Sequence, residues 1–212
     1  MNILLPLTES APNRRRWGVL AGGPLALAGA LLALVAVADR AKGGPQPTAT
    51  ISTSMGTIRI ELSADAAPAT VDNFKKYAKG RFYDGTILHR VIDGFMIQGG
   101  GFTPDLKEKT PTYLPIALES KNGLKNSAGT VAMARKADPN SATCQFFINL
   151  VDNPNLDYNP NNPRDNGYAV FGKVIAGFDV IDRIRAVKTA TRGIHQSVPV
   201  APIVIESVSL EE

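Results

Sequence analysis

Cysteine is almost missing from this chain of 212 residues: Cys144 stands alone, and His89 and His195 are the only histidines. A single thiol forms no intramolecular disulfide, and one Cys with two His falls short of a Cys/His zinc site. Cys144 lies between Thr143 and Gln145 beside an apolar run and reads as a small buried side chain rather than a nucleophile. An excess of one charge sign is also lacking. The net charge is +4, and three of the positive charges are Arg14, Arg15 and Arg16, against Glu9 in the same segment. Residues 39–212 hold 20 basic and 18 acidic side chains, a net of +2. The concentrated basic face of a nucleic-acid-binding protein is therefore not there. EF-hand spacing, internal repeats and low-complexity tracts are absent, and no Lys-Ser/Thr follows Gly99-Gly100-Gly101 as a phosphate loop requires. With 44% apolar and 20% charged residues, the composition is that of one globular domain plus an appendage.

The appendage is the N-terminal segment. Residues 17–38 carry no charge, and as a helix these 22 residues would span ~33 Å, enough for a bilayer core. Arg14-Arg15-Arg16 precede the run, which predicts an N-terminus kept in the cytoplasm. Ala36-Val37-Ala38 before Asp39 fits the small-x-small pattern of a signal-peptidase site. Residues 1–38 thus read either as a cleaved export signal or as a retained anchor holding the protein to the membrane through residues 17–38. Either reading puts the remainder outside the cytoplasm, in the periplasm or a comparable compartment. Residues 39–48, rich in Gly and Pro, read as a linker, and residues 49–212 as the domain.

Within the domain, Ala49–Thr53 and Thr57–Leu62 read as a hairpin around Ser54-Met55-Gly56. Pro68 and Thr70 open a helix over Val71–Lys79, with Val71, Phe74 and Ala78 on one face and Gly80 as its C′ stop. Further strands are expected at Thr86–Val91, Phe95–Gly99, Thr130–Ala134, Gln145–Asn149, Ala169–Val174 and Ile203–Leu210. A second helix is expected over Phe178–Ala186, with Phe178, Ile181 and Ile184 on its apolar face. Lys107–Asn126 and Asn153–Asn166 read as surface loops. Short strands with turn signals and only two helices argue for a mainly β, closed barrel.

The densest stretch is His89–Gly101. Asp93-Gly94 separates two apolar runs and favours a tight type I′ hairpin. Alternation places Arg90 with Ile92 on one face, and separates Phe95, Ile97 and Gly99 from Met96 and Gln98. An Arg beside large apolar side chains on a sheet surface is unusual for a plain core.

His89-Arg90-Val91-Ile92, Gly94-Phe95-Met96 and Gln98-Gly99-Gly100 resemble the signature of the cyclophilin-type peptidyl-prolyl isomerases, the short bacterial members above all. Two more blocks agree in order and spacing: Gly129–Arg135 followed by Ser141–Asn149, and Tyr168–Val174. The resemblance covers about residues 49–210. It implies an eight-stranded antiparallel barrel capped by two helices, with a substrate groove on the barrel's outer face. It implies rotation about X–Pro bonds in proline-containing polypeptides, by a monomer without cofactor or metal. Arg90 maps onto the catalytic arginine. Phe95, Met96, Phe147 and Leu156 map onto the proline pocket, Gln98 and Gln145 onto orienting polar groups, and Ala134 and Arg135 onto the edge that pairs with substrate backbone. Tyr168 falls where many eukaryotic members carry histidine. His89, as a strand neighbour of Arg90, is expected on the opposite face in a structural role.

One departure stands out. The family's large aromatic before the pocket leucine falls on Asn155, unless Tyr158 supplies the ring across a loop of different length. Weak inhibition by cyclosporin is the expectation. A groove that holds proline-containing segments without turning them over is the competing reading, and Asn155 is the one feature in its favour.

Overall fold

The computed structural model describes residues 46–162 and 166–211. The expectations for residues 1–38 and for most of the linker lie outside these residues. No helix among the described residues is long and apolar enough to cross a membrane.

Strands β1 (Thr48–Thr53) and β2 (Gly56–Leu62) form the first hairpin, and α1 (Pro68–Lys79) follows. Strands β3 (Arg90–Ile92), β4 (Met96–Gly99), β5 (Thr130–Met133), β6 (Phe146–Asn149) and β7 (Val170–Ala176) come next. Helix α2 (Phe178–Arg185), β8 (Thr189–Arg192), β9 (His195–Pro199) and β10 (Ile205–Glu211) complete the order. Gln46 and Pro47 already belong to the fold. The Pro47 carbonyl accepts from the Leu62 amide at 2.8 Å, and Gln46 donates to Asp65 at 2.9 Å. Gln46 and Pro47, expected in the linker, thus bond to residues at the end of β2.

Eight strands make one antiparallel sheet in the order β10-β1-β2-β7-β5-β6-β4-β3. The expected closed barrel is a sheet curled into a half-barrel, since β3 and β10 share no ladder. The gap is crossed by a single bridge between Ile87 and Val204 and by bonds from Leu88 to Ile203 (2.9 Å) and Ile205 to Thr86 (2.7 Å). The strand expected over Thr86–Val91 is shorter for the same reason. Ile87 also binds Phe102 and Gly100 on its other side, so its neighbours on both sides are irregular.

Alternation along the strands sorts side chains to two faces. The interior is filled by Ile58, Ile60, Val131, Phe146, Ile148 and Phe171, against which α1 lays Val71, Phe74, Tyr77 and Ala78. Ile97 is fully buried within this core. Helix α2 buries Val180, Ile181 and Ile184. Phe178, expected on that face, is 54% exposed, because it occupies the first helical position while Val180 turns inward. The β8–β9 hairpin was not legible in the sequence: all four residues of β8 are exposed, so burial leaves no alternation there.

The end of α1 differs from expectation in an instructive way. Gly80 has ordinary φ (−76°), and Arg81 takes the left-handed position with φ 51°. The Phe82 amide bonds the Tyr77 carbonyl and the Arg81 amide bonds the Ala78 carbonyl. That is the Schellman pattern, displaced one residue from the glycine. At the other end, α1 has no cap of its own. The Glu119 carboxylate, from the loop after residue 107, accepts from the Ala69 and Thr70 amides at 3.1 and 2.8 Å. A negative group there complements the helix dipole.

Left-handed backbone at a non-glycine residue costs about 1 kcal/mol, and the Arg81–Asp84 pair is solvent-screened on the arginine side and returns little of that. Arg81→Gly is expected to stabilise the domain by roughly 0.5 kcal/mol, raising Tm by about 1–2 °C in a thermal melt.

Candidate active site on the outer face of the sheet

The site begins with register. Arg90 of β3 stands opposite Gln98 of β4, and Ile92 opposite Met96. Val91 and Ile97, also paired, point into the core. The Asp93-Gly94 turn makes this hairpin, with the Phe95 amide bonded to the Ile92 carbonyl at 3.1 Å. Of the two turn residues only Gly94 has positive φ (71°), so the turn is not the expected type I′. Asp93 instead accepts the Gly94 amide through its own carboxylate at 2.9 Å.

Arg90 and Gln98 open onto a cleft of about 790 Å³, lined also by Ala134, Arg135 and Gln145. Gln98 Nε2 donates to Gln145 Oε1 at 3.0 Å. Among the described residues the Arg90 side chain makes no hydrogen bond and no ion pair, and the residue is half-buried. A guanidinium so placed keeps its donors for a ligand. Gly101 matters here through close approach: a Cβ on it would collide with the Gln145 side chain. Beyond β5, the Ala134 amide bonds the Gln145 carbonyl at 2.9 Å. The Ala134 carbonyl and Arg135 amide make no backbone bond among the described residues, leaving a short open edge beside the cleft.

Next to the cleft lies an apolar patch distinct from the core. Met96, Ala132, Phe147 and Val170 are buried in it, and Phe95, Ala134, Leu156 and Tyr168 pack at its margin. Phe147 and Tyr168 meet edge to face, 5.5 Å between centroids. The Arg135 guanidinium sits 4.7 Å from the Tyr168 ring centre and donates to the Gly167 carbonyl at 3.0 Å. All ten residues singled out in the sequence therefore come to one outer face. Arg90, Gln98, Ala134, Arg135 and Gln145 line the cleft, and Phe95, Met96, Phe147, Leu156 and Tyr168 form the patch. Ala134 and the Arg135–Tyr168 contact join the two. Phe95 shares this side with Met96, against strict alternation, because it precedes β4 and belongs to the turn.

Asn155 is exposed in a single 3₁₀ turn, Pro154–Leu156. Tyr158 does not replace the missing ring: it lies under Lys121, 5.0 Å from the ammonium to the ring centre. His89 is not on a face away from Arg90 as expected. It precedes β3, lines the same cleft, and packs with its ring tilted against Phe102 (4.5 Å between centroids), which meets His195 at 5.0 Å. Burial, then the neighbouring His195 and Arg90, lower its pKa from 6.5 to about 4, so it is neutral at neutral pH. Burial also raises the Cys144 thiol. The sequence reading missed Phe102, Glu108 and His195 at the cleft, and three buried asparagines, Asn126, Asn149 and Asn153. An Asn inside an apolar run, as at 149, was the available signal for the last. Among the described residues no three His, Cys, Asp or Glu side chains gather as a metal site would need.

A family model described as cyclophilin-type peptidyl-prolyl cis-trans isomerase/CLD matches residues 48–210. A peptidyl-prolyl cis-trans isomerase of Streptomyces antibioticus is 54% identical over 163 residues, covering 77% of this chain and 98% of that protein. Peptidyl-prolyl cis-trans isomerase B of Escherichia coli (strain K12) is 51% identical over 163 residues, covering 77% of this chain and 99% of that protein. The crystal structure of a cyclophilin-type peptidyl-prolyl cis-trans isomerase of Cryptosporidium parvum superposes with a TM-score of 0.64 at 26% identity. That match covers 78% of this chain and 97% of that one.

His89 supplies a pH test. The unfolded chain binds a proton on this residue below about pH 6.5, while the folded protein refuses it down to about pH 4. Stability is then level above pH 6.5 and falls between 6.5 and 4, by roughly 3 kcal/mol in all from this group. Denaturant titrations at pH 7 and pH 4.5 should show a larger loss in wild type than in His89→Gln; equal losses would remove His89 as the cause.

Proposed function

The chain belongs to the cyclophilin-type peptidyl-prolyl cis-trans isomerase family, and from that premise we propose that Arg90 drives X–Pro rotation in a proline held by the Phe95/Met96/Phe147/Leu156 patch. The enzyme is a peptidyl-prolyl isomerase acting on proline-containing polypeptides. Rotation about the X–Pro bond breaks amide resonance, against a barrier of ~18–20 kcal/mol, and makes or breaks no covalent bond. In the twisted amide the proline nitrogen is pyramidal and regains its lone pair. A donor aimed at that nitrogen favours the twisted state over both planar forms. Arg90 fits by charge, by half-burial and by having no other partner among the described residues. The single observation that carries the reading is this unpartnered guanidinium, held by register beside Gln98 on the outer face that also carries the apolar patch.

Other groups have supporting roles. The Gln98–Gln145 bond fixes both amides and leaves the Gln98 carbonyl oxygen and the Gln145 amino group to meet substrate. The open edge at Ala134 and Arg135 suits pairing with an extended backbone, which aligns the chain before rotation. The patch is apolar, and a less polar setting weakens the resonance charge separation that keeps the amide planar. A groove that binds without turnover has only Asn155 in its support, and that position lies exposed and does not line the cleft with Arg90.

In the full-length protein, Arg90→Ala should lower kcat/KM for an Ala-Pro test peptide by about 10²–10³, the loss typical for one preorganised donor, with Tm little changed. Arg90→Lys keeps the charge but not the planar fork, and is expected to recover only part of the activity. Full activity in Arg90→Ala would sink the assignment.

We further propose that the domain works on chains folding outside the cytoplasm. The support is the uncharged run 17–38 behind Arg14-Arg15-Arg16. Cell fractionation with N-terminal sequencing tests this. A mature chain beginning at Asp39 identifies a cleaved signal, an intact chain in the membrane fraction identifies an anchor, and an intact chain in the cytosol overturns the proposal.

A further inference from the structure

We propose that Asn126, Asn149 and Asn153 are positioning residues that hold the rim of the proline patch. The proposal rests on the reading of that patch as the seat of the proline ring.

The rim has a structural difficulty. Leu156 and Tyr168 come from the long segment between β6 and β7, and Phe95 from a turn, so none is fixed by a strand ladder on both sides. The three asparagines solve it. Each is at most 5% exposed, and together they form a one-way hydrogen-bond chain. Asn153 Nδ2 donates to the Phe95 carbonyl at 3.1 Å and to Asn149 Oδ1 at 2.8 Å. Asn149 Nδ2 donates to Asn126 Oδ1 at 3.2 Å and to Thr130 Oγ1 at 3.0 Å. Asn126 Nδ2 donates to the Leu156 carbonyl at 2.9 Å, with Asp157 Oδ1 at 3.2 Å and the Tyr168 carbonyl at 3.5 Å. The chain therefore starts on the carbonyl of one rim residue and ends on the carbonyls of the other two.

Backbone bonds tie the same segments together. The Asn153 amide donates to the Asn126 carbonyl at 2.8 Å, and the Tyr168 amide to the Leu156 carbonyl at 2.9 Å. The Asn126 amide and Asn126 Nδ2 both reach the Asp157 carboxylate, which also faces Lys125 at 3.5 Å. Both N–H bonds of Asn149 and of Asn153 are used. A buried network with all its donors satisfied has one low-energy arrangement; removing Asn153 leaves Asn149 Oδ1 without its donor and the Phe95 carbonyl with the Leu150 amide alone. None of the three side chains touches the polar cleft around Arg90, so the network acts on the ring seat and not on the donor.

That separation sets the test. A patch that holds the ring equally in planar and twisted states governs KM, whereas Arg90 governs kcat. Asn149→Ala and Asn153→Ala are made in the full-length protein, with Phe147→Leu as a reference for the patch itself. All are assayed on an Ala-Pro peptide well below each variant's Tm. The expected result is KM raised about five- to tenfold in the asparagine variants, with kcat within about twofold of wild type. Wild-type KM in folded asparagine variants, with KM raised in Phe147→Leu, overturns the positioning role and leaves the patch reading intact. Wild-type KM in Phe147→Leu as well overturns the patch reading. Loss of folding in both asparagine variants assigns the network to stability and also overturns the proposal.

Discussion

The register that sets Arg90 opposite Gln98 is the constraint on which the site depends. Strand side chains alternate, so one residue of slip would carry both into the core and expel Val91 and Ile97. The core forbids that slip. Val91, Ile97, Ile148, Val131 and Phe146 fill the interior of the sheet and lock the pairings of β3, β4, β5 and β6. Because the interior is filled, no ligand can enter it, and chemistry is confined to the outer face. Packing that makes the fold thus also aims the functional side chains.

On that outer face two environments adjoin. One is polar, built on Arg90, Gln98 and Gln145, and is carried by ordered strands or by residues directly beside them. The other is apolar, with its floor on β4, β5, β6 and β7 and its rim on loops. A rotation about an amide needs this division: a ring must be held without polar competition, and a single donor must face the nitrogen. Proximity alone would not do it, since an arginine paired with a carboxylate would have its donors engaged. The absence of such a pair among the described residues is as much a part of the site as the guanidinium itself.

Most of this was legible in the sequence because it rests on local pattern. Period-2 alternation located the strands of the main sheet, and the apolar stripe with Pro68 located α1. The motif blocks hold nine of the ten candidate residues that share one face, and Leu156 lies between two of the blocks. What was not legible rests on distant contacts. The cap of α1 comes from Glu119, some fifty residues away, and no local signal announces it. Arg81 takes the left-handed position although Gly80 is adjacent, because the hydrogen bonds of Phe82 and Arg81 choose the register of the helix end. The β8–β9 hairpin has an exposed first strand and so no burial pattern. The seam between Thr86–Leu88 and Ile203–Ile205 splits its bonds among several partners, which period-2 reasoning reads as one longer strand.

The rim of the apolar patch illustrates how a local departure need not empty a site. Asn155 stands where the resemblance leads one to expect an aromatic, and Tyr158 lies under Lys121 instead. Tyr168 supplies the aromatic surface from the other end of the same segment. It is steadied on three sides: Phe147 meets its ring edge to face, the Arg135 guanidinium lies over it, and its amide is tied to Leu156. A cation over an aromatic face adds about 0.5–1 kcal/mol at an exposed site. The same arginine bonds the Gly167 carbonyl, so its orientation is set by backbone and not by the ring alone. Arg135 therefore links the open edge at Ala134 to the ring that borders the proposed proline seat. Backbone alignment and ring seating share one side chain, so a change at Arg135 disturbs both at once.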